Sequence, residues 1–300
     1  ATKAVLLKLA DSHKPGLAIP AMEALGELGA PETVPALEKV LKTKEWPLRV
    51  AALRTLSRLR TREAVDVLVD RMAEEQGRLL AETGDALERA TGKPFGYAPG
   101  RWKEWWAANR ESFQPAGPAD LAAAAAAANV TTYYGVPVLS GRMVFCTDIS
   151  GSMADSSGGE SRMNQAKKEL SKVIGLLPKD AQINLIFFDD RVESWHRQLV
   201  SIRPNLATAR ALIDKLAPRG RTNIFDALDA AFQHKEADTI YLLSDGDPTD
   251  GRLTDPEEIL REIRRMNRPR QIAIHAVSFG PSWFMKALAL QNGGRYVEMK

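Results

Sequence analysis

Two short runs, Met143 to Thr147 and Thr239 to Leu243, are rich in apolar and β-branched side chains, and each stops at a polar loop containing glycine. Runs of that length bounded by turn residues predict buried strands. Ala181 to Asp189 predicts another strand, ending in Phe187-Phe188-Asp189-Asp190, with Val192 to Ile202 as a further edge strand. Gln271 to Ser278 and Arg295 to Met299 supply the last strands. Between them, Arg162 to Leu177, Leu206 to Leu216, Ile224 to His234 and Pro256 to Met266 carry apolar residues three and four apart, the period of a helix with one buried face. Alternating strands and helices predict an α/β, doubly wound (Rossmann-like), mostly parallel sheet.

The first third has a different rhythm. Leu17, Ile19, Met22, Leu25 and Leu28 align with Leu48, Val50, Leu53, Leu56 and Leu59 at an offset of 31 residues. Val34 and Leu37 match Val65 and Leu68 at the same offset, Leu6 and Leu9 match Leu37 and Val40, and a degraded copy runs through Leu79, Leu87 and Ala90. Pro31-Glu32 and Thr61-Arg62 sit at helix starts, so each unit is a helix pair with one apolar face. That period lies in the range of stacked helical repeats. An ordinary small helical bundle is the plainer alternative.

Aromatic residues concentrate just behind the repeats: Phe95, Tyr97, Trp102, Trp105, Trp106 and Phe113. Beside Arg101, Lys103 and Arg110 they suggest either a stacking platform for nucleic acid or, the favoured reading, a cap over the open apolar end of the helical stack. A Pro- and Ala-rich stretch with Pro115, Pro118 and alanines from Ala122 to Ala128 follows, and alanine's helix preference makes it a semi-rigid spacer. The expected division is a helical domain over 1–113, a linker over 114–133 and an α/β domain over 134–300.

Candidate chemistry lies at the ends of the two apolar runs. Asp148, Ser150 and Ser152 alternate in one loop, Thr222 sits in a Gly-Arg-Thr-Asn loop, and Asp245 follows the second run. Loops at the carboxyl ends of parallel strands are where open α/β sheets hold ligands. Two carboxylates and three hydroxyls are all oxygen donors, which suits magnesium, calcium or manganese and argues against zinc or copper. Neutral hydroxyls leave a bound ion electron-poor, so an anionic oxygen from another molecule would still be attracted. Ser150 and Ser152 as simple helix caps is the competing reading.

Thr147-Asp148-Ile149-Ser150-Gly151-Ser152-Met153 resembles the signature of a von Willebrand factor A (VWA) domain with its metal-ion-dependent adhesion site (MIDAS), and the resemblance runs from about Tyr134 to Lys300. It implies that Ser150, Ser152 and Thr222 approach the ion directly. Asp148 and Asp245 would act directly or through water, and a partner's Asp or Glu would complete the octahedron. Ser244-Asp245-Gly246-Asp247-Pro248-Thr249 is similar to the family's fourth-strand loop. Arg221, where many members have a small residue, departs from the pattern and is expected either to meet an acidic partner or to cross the loop to Asp247. The closing helix of the family is missing after Met299, which implies a trimmed chain or a domain without that switch. The repeats resemble short HEAT-like repeats. The sequence starts at Ala1 within a repeat, so a processed or trimmed piece, short of a signal peptide or further repeats, is expected.

Composition narrows the function. Three hundred residues with 44% hydrophobic content fit two modest domains, and a formal charge of +3 lacks the excess of a dedicated nucleic-acid binder. No apolar stretch is long enough to span a bilayer. The single cysteine, Cys146, lies within a predicted strand as a small hydrophobe; it excludes an intrachain disulfide and leans towards the cytoplasm, with a bacterial periplasm left open. His13, His196, His234 and His275 are scattered, and neither a phosphate-binding loop nor a nucleophile elbow is present. Arg261, Arg264, Arg265, Arg268 and Arg270 are expected to be a solvated face. The expected function is therefore a non-enzymatic, cation-dependent protein-binding module whose ion captures an acidic residue of a protein partner, with the helical repeats as scaffold or second surface. RNA binding is the alternative, since the Ro autoantigen family also joins HEAT-like helices to an A-like domain; a metal-dependent phosphohydrolase ranks last.

Overall fold

The computed structural model describes residues 2–115, 131–157 and 159–299. They fall into two compact units, one of helices and one of sheet and helices.

The helical unit contains α1 (Thr2–Ala10), α2 (Pro15–Glu27), α3 (Val34–Leu41), α4 (Trp46–Leu59), α5 (Arg62–Glu74), α6 (Gly77–Thr91) and α7 (Pro99–Asn109). Helix α4 packs between α2 and α6, while α5 packs on α6 and α7, giving the stacked pairs that the 31-residue offset predicts. The repeated positions carry the core: Ile19, Met22 and Leu25 of one pair and Leu53, Leu56 and Leu68 of the next are fully buried. Thr61 caps α5 by accepting from the Ala64 amide at 3.2 Å, whereas Pro31 opens a 3₁₀ turn that runs into α3. The aromatic group covers the end of this stack. Trp102 and Trp106 are buried, Trp102 Nε1 donates to the Gly96 carbonyl at 2.8 Å, and Trp106 Nε1 donates to Asp66 Oδ1 at 2.8 Å. Trp102 and Trp106, so enclosed, are unavailable for stacking on bases, while Phe95, Tyr97 and Trp105 are partly buried against the same core.

Two buried glutamates tie the helices together. Glu75 accepts from Arg49 and Arg71, and Glu82 accepts from Arg54 and Arg78. Burial, the largest influence on Glu82, pushes its carboxyl up, but the Arg54 and Arg78 guanidiniums outweigh it and hold the group well below the usual carboxylate range.

The second unit holds β1 (Thr132–Tyr133), β2 (Val136–Pro137), β3 (Arg142–Asp148), β4 (Ser156–Ser157), β5 (Glu160–Ser161), α8 (Arg162–Leu176), β6 (Gln182–Phe188), β7 (Val192–Ser194), β8 (Val200–Ser201), α9 (Ile202–Asp214), α10 (Ile224–Phe232), β9 (Thr239–Ser244), α11 (Pro256–Asn267), β10 (Ala273–Phe279), α12 (Trp283–Gln291) and β11 (Tyr296–Met299). The main sheet runs β11-β10-β9-β3-β6-β7, with β8 also on β6. Strands β3, β6, β9, β10 and β11 are parallel, and β7 and β8 are antiparallel additions. The central strands are buried on both faces, which is why they read as continuous apolar runs.

Three local expectations change and one holds. Val192 to Ile202 is not one edge strand; it breaks into β7 and β8, and Ile202 already starts α9. Helix α12 escaped the periodicity because Trp283 to Leu290 is apolar nearly all round, with Phe284, Met285, Leu288 and Ala289 buried. Most of the expected linker lies outside the described residues, and at its end Thr132–Tyr133 pairs antiparallel with Val136–Pro137. Arg261 and Arg265 do form a solvated face, paired within α11 to Glu257, Glu258 and Glu262.

Candidate metal centre

Strand β3 has β6 on one side and β9 on the other, and the chain leaves it in one direction for β6 and returns on the other side for β9. That reversal opens a crevice at the carboxyl ends of the strands. Asp148 is the last residue of β3, and Asp245 directly follows β9.

The register places Thr147 beside Leu243, so the next residues, Asp148 and Ser244, face across the strand ends. Asp148 is fully buried; its Oδ1 accepts from the Ser150 amide at 2.7 Å and its Oδ2 from Ser244 Oγ at 2.5 Å. Ser150 Oγ lies 3.2 Å from Ser152 Oγ, and Ser152 Oγ donates to Asp245 Oδ1 at 2.8 Å. Four of the five sequence-predicted residues are thus joined in one chain of contacts. Ser150 occupies the cap position of the 3₁₀ turn Gly151–Ala154 but makes no side-chain cap bond, so helix capping does not account for its hydroxyl.

Thr222 arrives on a separately anchored loop. The Gly151 amide donates to the Gly220 carbonyl at 3.1 Å and the Arg219 amide to the Ile149 carbonyl at 2.8 Å, pinning this loop to the aspartate–serine loop. Gly220 has φ +65° and a Cβ there would meet Asp190 Oδ1 at 2.0 Å, so glycine alone permits that approach. On its other side, the Thr222 carbonyl accepts from the Thr249 and Asp250 amides, and the Thr222 amide donates to Thr249 Oγ1. Asn223 then caps α10 by accepting from the Asp226 amide at 3.1 Å.

Charge decides what the pocket accepts. Burial pushes the Asp148 carboxyl up to about 6, with the Asp245 charge adding to it, while the bonds from Ser244 and Ser150 work in the opposite sense. None of the ion pairs among the described residues reaches Asp148. A buried carboxylate facing hydroxyls with no cation partner fits a hard divalent ion: the ion would supply the missing positive charge and take the oxygens as ligands. Clusters of three or more His, Cys, Asp or Glu suited to a metal are absent among the described residues, so an ion held here would need the hydroxyls as well as the two carboxylates.

Two contributors escaped the sequence reading. Ser244 was visible in the loop, yet its role depends on the β3–β9 register. Arg162, the first residue of α8, donates through Nη1 to Asp245 Oδ2 at 2.7 Å. Nothing local marks it, since it approaches only because the chain turns back after Ala154, with the Arg162 amide on the Asp155 carbonyl at 2.9 Å. Arg221 does not cross to Asp247; its nearest carboxylate is Asp250 at 3.9 Å, and its side chain is 73% exposed.

The model of the von Willebrand factor type A domain matches residues 143–248, and that of HEAT repeats matches residues 3–88. The inter-alpha-trypsin inhibitor heavy chain H3 of Mesocricetus auratus is 32% identical over 176 residues, covering 53% of this chain and 19% of that protein. The human H3 chain is 28% identical over the same span and coverage. The present chain therefore spans less than a fifth of the length of those relatives. Among solved structures, a von Willebrand factor type A protein from Catenulispora acidiphila superposes with a TM-score of 0.46 at 17% identity, covering 55% of this chain and 40% of that one. Proximal thread matrix protein 1 of the mussel byssus, whose MIDAS motif is occupied by zinc in that structure, gives 0.40 at 21% identity over 53% and 41%. Sheet order, loop geometry and both matches converge: this chain carries a von Willebrand factor type A domain preceded by HEAT repeats.

Proposed function

We propose that this chain is a non-enzymatic, divalent-cation-dependent protein-binding module in which the ion captures a carboxylate of a protein partner. The observation that carries this reading is the buried Asp148 carboxylate, aimed with the Ser150 and Ser152 hydroxyls into the crevice and lacking a cation partner. Asp148, Ser150, Ser152, Thr222 and Asp245 would hold the ion, and magnesium, calcium or manganese suits their oxygens better than a soft metal. An ion held there would supply Lewis acidity, and Ser152, one of the residues that would hold it, is exposed.

The residues do the rest. Ser244 and the Ser150 amide aim Asp148 and favour its ionised form, while the Gly220 carbonyl ties the Thr222 loop to the serine loop and Thr249 holds it from the other side. A site so loaded would favour an Asp or Glu of a partner over an amide, because a charged oxygen makes the stronger contact. The helical unit, with its own core, acts as scaffold or second binding surface.

Calorimetry with magnesium tests the site. Asp148→Ala and Asp245→Ala should each abolish binding, and unchanged binding in both variants overturns the assignment. A pull-down with and without chelator tests the function. Partner capture should disappear with chelator and weaken in Thr222→Ala; equal capture under all three conditions would place binding on another surface.

A further inference from the structure

Asp245 has a second partner that the ligand set does not use. Its side chain is fully buried, and its two oxygens are divided: Oδ1 accepts from Ser152 Oγ at 2.8 Å and Oδ2 from Arg162 Nη1 at 2.7 Å. The Arg162 side chain is 23% exposed, its Nη1 also reaches the Ser152 carbonyl at 3.4 Å, and Asp155 lies at 3.7 Å with its side chain 69% exposed. Its Nε is buried and makes no hydrogen bond within the described residues. The guanidinium is therefore wedged into the wall of the crevice against the very carboxylate that should face the ion.

Resting on the metal-site reading above, we propose that Arg162 is a built-in cation that weakens the bare ion site and makes the bound ion depend on an outside carboxylate. Without Arg162, the two buried aspartates would neutralise a divalent ion completely, and the loaded site would have little need of a further anion. Counting Asp148, Asp245 and Arg162, the buried part of the site carries one net negative charge before loading and would carry one net positive charge after it; Asp155, 3.7 Å from the guanidinium, is 69% exposed, so solvent screens its charge. A guanidinium stays protonated, so this excess cannot be relieved by losing a proton. Both the Asp245 carboxylate and most of the Arg162 side chain are buried, so salt would screen this excess less than it screens a surface charge. An acidic side chain from a partner restores neutrality, and an amide cannot. Arg162 is thus a specificity-determining residue for a carboxylate, acting through Asp245.

The experiment measures manganese affinity by calorimetry on the whole chain, with acetate as the carboxylate probe at constant ionic strength. In Arg162→Gln, manganese should bind at least about fivefold more tightly, because a neighbouring like charge has been removed. The gain in manganese affinity that acetate gives the unaltered protein should shrink in that variant. Arg162→Lys keeps the charge and should stay near the unaltered protein. A thermal melt adds an independent readout: Arg162→Gln should lower the melting temperature of the metal-free protein and enlarge the rise that manganese causes, since the ion then neutralises a carboxylate left without its partner. Equal or weaker manganese binding in Arg162→Gln, or an unchanged acetate effect, overturns the proposal. An Asp245→Asn variant separates the two readings. If Asp245→Asn abolishes manganese binding while Arg162→Gln changes nothing, the site stands and the role of Arg162 falls; if Asp245→Asn binds manganese normally, the site itself is misassigned.

Discussion

Ser244 Oγ donates to Asp148 Oδ2 at 2.5 Å, so the residue directly before one aspartate of the centre holds the other. The link joins the ends of β3 and β9, both buried, and it favours the ionised form of a carboxylate that burial disfavours. Removing it should be felt in the charge state of the centre before it is felt in the fold.

Ser244→Ala is therefore expected to weaken magnesium binding by roughly tenfold or more near pH 7, the scale of about 1.5–3 kcal/mol for a hydrogen bond to a charged group. Calorimetry on folded protein checks this. Affinity equal to that of the unaltered chain would mean that Asp148 does not need this donor.

Gly251 has φ +100°, and a Cβ there would lie 2.0 Å from Asn223 Oδ1. Asn223 caps α10 and directly follows Thr222. Gly251→Ala should cost about 2–3 kcal/mol, from an unfavourable left-handed backbone and a displaced helix cap together. Magnesium affinity should fall with it, because the Thr222 loop shifts. A denaturant melt showing no loss would disprove the steric argument.

Glu82 gives the pH dependence. Its folded pKa lies below the usual carboxylate value, so its pairing with Arg54 and Arg78 contributes stability that is complete above the unfolded value and is lost as pH falls towards the folded one. Acid titration followed by circular dichroism should show helical stability declining below the normal glutamate range. Glu82→Gln should cost about 3–5 kcal/mol at neutral pH by leaving buried guanidiniums without their anion, and it should flatten that acid limb. An unchanged limb would remove Glu82 from the account.

Limited proteolysis should cut first between about Gln114 and Thr132, since each flanking unit has its own core and the Pro- and Ala-rich composition of the stretch between them offers few side chains for a shared one. First stable fragments ending inside either unit would refute separable domains.

Much of this architecture was legible in the order of residues. A strand buried on both faces must be apolar throughout, so Met143 to Thr147 and Thr239 to Leu243 stood out without any partner being known. Stacked helix pairs repeat the same burial, so Leu17 to Leu28 and Leu48 to Leu59 reported one another through their spacing. The candidate oxygen donors were also readable, because Asp148, Ser150 and Ser152 share one short loop. What the tertiary structure alone decided were contacts between segments far apart in the chain. Ser244 meets Asp148 through the β3–β9 register, and Arg162 reaches Asp245 because its loop folds back over the strand ends. Of the two expectations for Arg221, an acidic partner or Asp247, the second fails, since its side chain lies nearest Asp250. Local periodicity records which face of an element is buried; it carries no record of which two loops the packing will bring together, and the charge of this centre is set there.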